Sequence, residues 1–423
     1  MRGALFMVAS LSLWMLPASS PAQLGLPGRL GVPDVLDGVE SLPGRLPLPD
    51  IERLSPVRAA RTLLDARTQR LADLVRRHPD DLEWDDRDYP AVRGMILATG
   101  LSDEQMVRLR SAGFNPVRED IDALGLGYVR LQTPDDKGLA QSIRQARKIA
   151  PNAAIGSNPI YFQSGPTTRG SGALADGGRN AGRAVGLIDG GVGKHPALTG
   201  HIQQRGFAKG APAPSGHGTA VASLIVGDGK VKGAAPGAPL LVADIYGRDP
   251  AGGSAIAIAR ALGWMAANGV RIVTISLVGP DNPLLAGAVS AARRKGLILV
   301  AAVGNDGPAA PPAFPASYDG VVAVTGVDGR NRALIEAGRA LHLDYSAPGA
   351  DMVAANINGE ASRVRGTSFA APFVAGRLYR HLQQASITAA MQALAAEARD
   401  LGKRGPDGTY GRGLVCGQCR NAP

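Results

Sequence analysis

The sequence is poor in cysteine and in aromatic residues, and each scarcity removes a class of protein. Cysteine occurs only twice in 423 residues, at Cys416 and Cys419, so a small fold held by several disulfides is excluded. A structural zinc site needs about four ligands, and none gather near this pair, so we predict a local disulfide or two free thiols and no metal. Aromatic residues make up 4% and do not alternate with lysine and arginine. Despite the net charge of +10, we therefore predict no nucleic-acid partner.

Long apolar runs are also lacking, except at the beginning of the chain. Residues 1–22 contain Arg2, an apolar run over 4–16, and then proline and small residues. This pattern is typical of a secretory signal peptide, and the run is too short to span a bilayer as a helix. We expect cleavage before Gln23, export to the periplasm or the medium, and no membrane contact once the signal is removed.

The length of the chain predicts two or three structural units. Residues 23–89 combine a proline- and glycine-rich linker with an amphipathic helix over 57–77, whose arginine face we predict to be solvated rather than bound to a membrane or a partner. Residues 90–165 show the order β-α-β-β-α-β, which predicts a small ferredoxin-like α+β domain. A capping box from Ser102 to Gln105 opens its first helix, and Pro134 is predicted to open its second.

Residues 166–415 alternate apolar strands with helices, one of which we predict over 255–267, and residues 416–423 form a short tail with the cysteine pair. Strands that read as continuous apolar runs are typical of a parallel sheet covered on both faces. The prediction for this part is an α/β fold with a mostly parallel sheet and helices on both faces.

A candidate nucleophile is Ser368, which follows Gly366 and Thr367 and is predicted to open an apolar helix over 368–382. At a helix start, free backbone N–H groups and the helix dipole favour negative charge. A lone serine in this place is more often an N-cap residue. Three further residues favour catalysis.

A serine hydroxyl needs a base to take its proton and a third group to orient that base. His217 lies between two glycines at the start of an apolar helix, and Asp189 ends a buried strand. Carboxyl ends of strands are where open α/β sheets place their active sites. Asn305 follows another buried strand, and its amide can donate to a developing oxyanion.

The motifs Ile188-Asp189-Gly190, His217-Gly218-Thr219, Gly304-Asn305 and Gly366-Thr367-Ser368 resemble those of the subtilisin-like serine peptidases (peptidase S8). The resemblance implies Ser368 as nucleophile, His217 as general base, Asp189 as its orienter, and Asn305 with the Ser368 N–H as the oxyanion hole. It also implies that the α+β domain over 90–165 is an inhibitory propeptide whose C-terminal tail blocks the cleft. An accessory domain that is never removed is the alternative.

The same resemblance implies two substrate-binding segments. Gly252 and Gly253 match the extended edge that pairs with substrate backbone. Ser276, Leu277 and Val278, together with Gly304, match the walls of the pocket for the residue before the scissile bond.

The sequence departs from the family at three places. Valine stands at position 278, where the family usually has glycine, and the sequence does not tell whether its side chain enters the pocket. Ala220 replaces a second histidine found in many relatives, and the short connection at 227–230 offers too few oxygens for Ca²⁺.

The sequence thus predicts an exported, monomeric serine endopeptidase, made as a zymogen. It would need no cofactor, bind polypeptide substrates, and be inhibited by its own propeptide. One rival is a catalytically silent protein that binds peptides on the same fold. Another is a serine hydrolase that acts on esters.

Overall fold

The structure is a computed structural model that describes residue 51, residues 53–163 and residues 184–422. The predicted signal peptide, the linker up to residue 50 and most of the predicted junction lie outside these residues. Those predictions remain predictions.

The first described part contains a long helix and a small mixed domain. Helix α1 (Pro56–Arg77) begins with a proline in its first turn, where the missing N–H has no partner to lose, and it ends at the cap residue His78. The domain after it has two helices and five strands: β1 (Leu82–Trp84), β2 (Pro90–Thr99), α2 (Asp103–Ser111), β3 (Asn115–Ile121), β4 (Leu126–Gln132), α3 (Leu139–Ile149) and β5 (Ala154–Pro159).

The sheet of this domain has the order β1-β2-β4-β3, with β5 also paired to β2 and all pairs antiparallel. From β2 to β5, the elements follow the predicted β-α-β-β-α-β order. The capping box is present, since Ser102 Oγ accepts from the Gln105 N–H and the Gln105 side chain accepts from the Ser102 N–H.

Further along the chain, a short strand β6 (Phe162–Gln163) precedes a seven-stranded parallel sheet. The strands of this sheet are β7 (Val185–Asp189), β8 (Ile202–Gly206), β9 (Leu240–Asp244), β10 (Ile272–Ile275), β12 (Ile298–Ala302), β13 (Val322–Val327) and β14 (Tyr345–Pro348), and their order in the sheet is β14-β13-β12-β10-β7-β9-β8. The other elements are α4 (Gly216–Val226), α5 (Ala255–Ala267), β11 (Leu277–Val278), α6 (Pro283–Arg294), β15 (Met352–Ala355), β16 (Ala361–Val364), α7 (Ala371–Leu382) and α8 (Ile387–Glu397).

Alternation along the buried strands builds a core on each face of the large sheet. In β7, Leu187 belongs to the core that holds α4, α7 and α8, whereas its neighbour Ile188 belongs to the core that holds α5 and α6. Because successive side chains point to opposite faces, a strand of apolar residues needs cover on both sides. The predicted α/β fold is confirmed.

The small domain contributes side chains to the core that holds α5 and α6. The side chains of Ile121 and Leu124 pack with the apolar side chains of α5 and α6. A Cβ at Gly263, in the middle of α5, would lie 2.4 Å from Ile121 Cγ2, so only glycine lets Ile121 approach the helix this closely. The opposite face of the small sheet has a core of its own with α2 and α3.

Three predictions about elements were wrong. The second helix of the small domain begins at Leu139 instead of Pro134, because Glu83 in β1 accepts a hydrogen bond from the Leu139 N–H and fixes the helix start there. Ser368 lies in a 3₁₀ turn (Thr367–Phe369) just before α7. The arginine face of α1 is solvated only in part, because Arg67 and Arg70 pair with Asp306.

Cys416 and Cys419 form a disulfide with each other, which selects one of the two alternatives left by the sequence. Across residues 53–163 and 184–422, no helix combines the length and apolarity needed to cross a bilayer. In the same part of the chain, no group of three or more His, Cys, Asp or Glu side chains could hold a metal ion.

Candidate active site

The pair formed by Asp189 and His217 lies at the carboxyl end of β7. Both side chains are fully buried, and His217 Nδ1 lies 2.9 and 3.0 Å from the two carboxylate oxygens of Asp189. A carboxylate can only accept here, so the Nδ1–H donates and the lone pair of the neutral ring is left on Nε2. His217 Nε2 is buried and has no hydrogen-bond partner within the described residues.

Local sequence explains why His217 stands so close to the strand. Ser215 caps α4, its Oγ accepting from the Gly218 N–H at 2.8 Å, and this places His217 in the first helical turn. A Cβ on Gly218 would lie 2.3 Å from the Gly190 carbonyl oxygen. Glycine at 218 is therefore needed for the helix to begin against the end of β7.

The turn that carries Ser368 is tied to the ends of two other strands. The Ser276 hydroxyl donates to the Ser368 carbonyl oxygen at 3.0 Å, just beyond β10. The Thr367 N–H donates to Asn305 Oδ1 at 2.9 Å, and the Thr367 hydroxyl donates to the Gly304 carbonyl at 3.1 Å, just beyond β12. Because an N–H requires an oxygen acceptor, this bond assigns Oδ1 of Asn305 and leaves Nδ2 as the donor side of its amide.

The ring of Phe369 joins these two groups of residues. Its centroid lies 5.4 Å from that of His217, and Ser368 and Phe369 are both buried. The four segments named from the sequence, which hold Asp189, His217, Asn305 and Ser368, thus meet at one edge of the parallel sheet.

The two predicted substrate segments are occupied by the chain itself. The Tyr161 N–H donates to the Gly253 carbonyl at 2.8 Å, and β6 pairs antiparallel with β11, with Gln163 opposite Leu277 and Phe162 opposite Val278. Residues 160–163 therefore lie as an added strand between the two segments. Gly252 lies in the same loop, before Gly253, where its N–H bonds to the Asp249 carbonyl.

Tyr161 is fully buried in this arrangement, although no motif in the sequence singles it out. Its hydroxyl donates to the Pro280 carbonyl at 2.6 Å, and its own carbonyl accepts from the Tyr246 hydroxyl at 2.9 Å. A Cβ on Gly279 would lie 2.5 Å from the Tyr161 ring, so glycine at 279 makes room for the aromatic side chain. Burial raises the pKa of Tyr161 well above its ordinary value, which keeps the phenol a neutral donor.

Gln163 reaches the buried pair directly. Its Nε2 donates to Asp189 Oδ1 at 2.8 Å, and the Gly190 N–H donates to the same oxygen at 2.7 Å. The strand over 160–163 thus ends beside the aspartate and histidine.

A cavity lies beside this strand, and Val278 forms part of its wall. Its lining includes residues from β6, β11 and the loop after β12, namely Phe162, Val278, Gly279, Val303, Gly304, Asp306 and 310–313. A Cβ on Gly304 would lie 3.1 Å from Val278 Cγ1, so the valine side chain packs against Gly304. The Val278 side chain therefore points toward Gly304 and into the wall of this cavity.

A second buried carboxylate, Asp244, was also missed. Its Oδ2 accepts from the Ala213 N–H at 2.7 Å, and its Oδ1 accepts from the N–H groups of Tyr246 and Gly247 at 3.0 and 2.9 Å. Burial, aided by the charge of Asp189, raises the pKa of Asp244, although these backbone N–H groups act in the opposite direction. Asp244 joins the loop before His217 to the loop that leads to Gly253.

The sequence matches the model of the subtilase family over residues 180–413, which is more than half of the chain. The protein belongs to the subtilase family, and its predicted kinship with the subtilisin-like serine peptidases is confirmed.

Curated relatives agree with this membership. The chain is 30% identical to the minor extracellular protease Epr of Bacillus subtilis (strain 168) over 241 residues, which are 55% of this chain and 37% of Epr. It is 34% identical to subtilisin BL of Lederbergia lenta over 206 residues, which are 46% of this chain and 74% of the relative. The alignment thus spans little more than a third of Epr and about three quarters of subtilisin BL.

Solved structures support the fold. Fervidolysin from Fervidobacterium pennivorans, a keratinolytic enzyme related to subtilisin, superposes with a TM-score of 0.62 at 20% identity, over 78% of this chain and 61% of fervidolysin. The epidermin leader peptide processing serine protease of Staphylococcus aureus gives a TM-score of 0.57 at 17% identity, over 76% of this chain and 96% of that structure.

Proposed function

We infer that this protein is an exported serine endopeptidase in which Ser368 is the nucleophile, His217 the general base and Asp189 the group that orients the base. The observation that carries this inference is the fully buried Asp189–His217 pair, whose histidine keeps Nε2 free of hydrogen bonds from described residues and whose ring lies against the turn of Ser368. Export is supported by the signal-like residues 1–22 and by the extracellular relative Epr.

In this reaction the Ser368 hydroxyl oxygen attacks the carbonyl carbon of the scissile peptide while His217 Nε2 takes the hydroxyl proton. The carbonyl oxygen becomes an oxyanion, which accepts hydrogen bonds from Asn305 Nδ2 and the Ser368 N–H. The C–N bond then breaks, and the leaving amine takes the proton from His217. Water hydrolyses the resulting ester by the same steps and restores the hydroxyl.

Positioned base catalysis contributes about 10²–10⁴-fold, and one oxyanion donor contributes about 2.7–4 kcal/mol. Loss of Ser368 is therefore expected to reduce the rate more than loss of Asn305. None of these steps requires a cofactor.

We further propose that the small domain over 90–165 is an inhibitory propeptide and that the structure represents the precursor of this enzyme. Residues 160–163 lie along both substrate segments, as an extended peptide substrate would, and Gln163 contacts Asp189. On this view the maturation cut falls within the first few residues after Gln163, in the segment before residue 184.

Contacts between the small domain and the catalytic part support the same role. Asn158 Oδ1 accepts from the Ile256 N–H at 3.2 Å in the first turn of α5, where backbone N–H groups lack helical partners. Asn282 Nδ2 donates to the Ser157 carbonyl at 2.9 Å in the loop that caps α6. The propeptide thus holds the starts of both helices as well as the cleft.

Labelling with a fluorophosphonate probe tests the nucleophile. The mature enzyme is expected to react and to hydrolyse casein much faster than a short-chain ester, while Ser368→Ala loses both reactions and accumulates as an uncut precursor after signal removal. Ser290→Ala, which changes an exposed serine on α6, is the matched control and keeps both.

Labelling that survives in Ser368→Ala would overturn the assignment of the nucleophile. A protein that takes no label but binds peptides would support the catalytically silent alternative.

A further inference from the structure

Helix α1 lies outside the ferredoxin-like domain, yet it is bound to the catalytic part by two arginines. Arg70 Nη2 lies 2.6 Å from Asp306 Oδ1, and Arg67 Nε lies 3.4 Å from Asp306 Oδ2. The three side chains are only 23%, 17% and 20% exposed, so these contacts are shielded from solvent more than ordinary surface ion pairs. Arg67 also stacks over the ring of Tyr89, 5.4 Å from its centroid.

An apolar contact accompanies the ion pairs. Leu63, one turn before Arg67, is buried in a cluster with Ile51 and Ala59, and Ile335 of the catalytic part packs against this cluster. A Cβ on Gly307 would lie 2.9 Å from Leu63 Cδ1, so the glycine after Asp306 lets the leucine come close. We call Asp306, Gly307 and Ile335 the Asp306 face.

The spacing of the contacts is that of one side of a helix. Residues 63, 67 and 70 are separated by four and three positions, which places them in one row. Helix α1 carries six arginines and two aspartates, and Arg58 and Arg61 in its first turns are exposed. If α1 were held only by the overall attraction between a basic helix and an acidic surface, no particular arginines would be favoured. The pairing of Arg67 and Arg70 with the single carboxylate of Asp306 indicates instead that one face of the helix is docked.

The Asp306 face lies beside the candidate substrate pocket, so docking of α1 covers part of that pocket. Asp306 directly follows Asn305, and Asp306, Val278 and Gly304 line the cavity on one side while Arg67 and Leu71 of α1 line it on another. The strand over 160–163 fills the substrate edge, but α1 closes this cavity from a different direction. The two segments are separated in the sequence by the whole small domain.

We propose that the Asp306 face is a docking site for an arginine-bearing amphipathic helix, and that α1 occupies it in the precursor as a second inhibitory segment, independent of the tail over 160–163. The inhibitory part rests on the proposed function, because it takes the cavity beside Asn305 as the pocket for a substrate side chain. Docking itself does not depend on catalysis.

The experiment compares two double variants of the full-length precursor that remove the same charge from the same helix. Arg67→Gln with Arg70→Gln removes the ion pairs to Asp306, and Arg58→Gln with Arg61→Gln removes two exposed arginines. Hydrogen exchange of the α1 amides is measured in the Ser368→Ala background, where no self-cleavage can intervene. The time before casein hydrolysis appears is measured with Ser368 present.

The first variant is expected to raise exchange in α1 by about tenfold or more, since a charge-assisted hydrogen bond and an ion pair are lost, and to shorten the delay before activity. The second is expected to stay within about twofold of the parent in both measurements. With Arg67→Gln already present, so that no second arginine faces position 306, the charge-reversed pair Arg70→Glu with Asp306→Arg is expected to restore protection in α1.

Equal exchange in the two double variants would overturn the docking. Faster exchange in the first variant with an unchanged delay would overturn the inhibitory role and leave α1 as a structural helix. If no variant of the protein ever shows Ser368-dependent hydrolysis, the proposed function fails, while the exchange measurement still decides whether α1 docks on the Asp306 face.

Discussion

Val278 is a single branched side chain in the wall of the candidate substrate pocket, at a position where glycine would leave only backbone. Its side chain packs against Gly304, and Val278 and Phe162 both line the cavity. The branched Cβ of valine restricts its χ1 rotation, so the side chain does not rotate out of the way easily. Large aromatic residues before the scissile bond are therefore expected to bind poorly, and Ala, Val or Leu are expected to be preferred.

The variant Val278→Gly is expected to raise kcat/KM for a Phe peptide, relative to the matched Ala peptide, by about 5- to 150-fold. This range corresponds to the roughly 1–3 kcal/mol that overpacking costs. The measurement is kcat/KM on the paired peptides, with Val278→Ala as an intermediate step. A Phe/Ala ratio that is the same in all three enzymes would show that the valine does not set specificity.

At the scale of single residues, the sequence could nominate candidates where the residue type is tied to a reaction. Asp189, His217, Asn305 and Ser368 each stand in a short motif at the end of a strand or the start of a helix, and the structure brings these segments to one edge. Asp244 has the same local setting as Asp189, since both end buried strands and lie side by side in the sheet. Nothing in the sequence around Asp244 indicates that its carboxylate also accepts from the Ala213 N–H, thirty-one residues earlier in the chain.

At the scale of elements, the strand over 160–163 depends on one buried side chain. Tyr161 fills the space beside Gly279, and its carbonyl and N–H are both bonded to the loop over 246–253. Truncating a buried aromatic side chain costs about 3–5 kcal/mol. The tail should therefore leave the cleft readily when Tyr161 is replaced by alanine.

The measurement is the apparent Kd of a fluorescent peptide that copies residues 158–163, added to the full-length Ser368→Ala precursor. Tyr161→Ala is expected to tighten binding of this peptide by at least about tenfold, since the competing tail is weakened. Tyr161→Phe keeps the ring and loses only the bond to Pro280, so we expect a much smaller change. The same Kd in the parent and both variants would contradict occupation of the cleft by the tail.

Elements with a strong apolar period were predicted almost to the residue, and the exceptions have a physical cause. Helix α5 over 255–267 matches its prediction, because ten of its thirteen residues are buried. Strand β8 (Ile202–Gly206) was missed because it lies at the edge of the sheet and its sequence is largely polar. The docking of α1 could not be predicted either, since its partner Asp306 lies more than two hundred residues away in the sequence.

For the whole molecule, the small domain and the catalytic part share one charged cluster around Glu119. Its carboxylate accepts from Arg130 Nε at 3.0 Å and from Arg260 Nη2, on α5, at 2.7 Å, and the Tyr128 hydroxyl also donates to it. Burial alone would raise the pKa of Glu119, but the hydrogen bonds from Tyr128 and Arg130 and the charge of Arg260 outweigh it and lower the pKa below its ordinary value. Burial and the bond to Glu119 raise the pKa of Tyr128 to about 12.

The direction of this shift fixes the pH range in which the cluster stabilises the precursor. Because the folded state lowers the pKa of Glu119, the stabilisation is complete above the ordinary value of about 4.5 and is lost as the pH falls through the lowered pKa. In the Ser368→Ala precursor, Glu119→Gln is therefore expected to lower Tm at pH 6. The difference in Tm between parent and variant should shrink steadily below about pH 4.5.

The matched control is Asp120→Asn, which removes a carboxylate from an exposed position on the same strand. We expect this variant to follow the parent at pH 6, because Asp120 does not take part in the cluster with Arg260. A difference in Tm between Glu119→Gln and the parent that stays constant from pH 6 to pH 3 would contradict the assignment, since neutral glutamine and protonated glutamate offer Arg260 nearly the same partner. If the difference closes as expected, acid weakens one of the bonds that keep the small domain on the catalytic part.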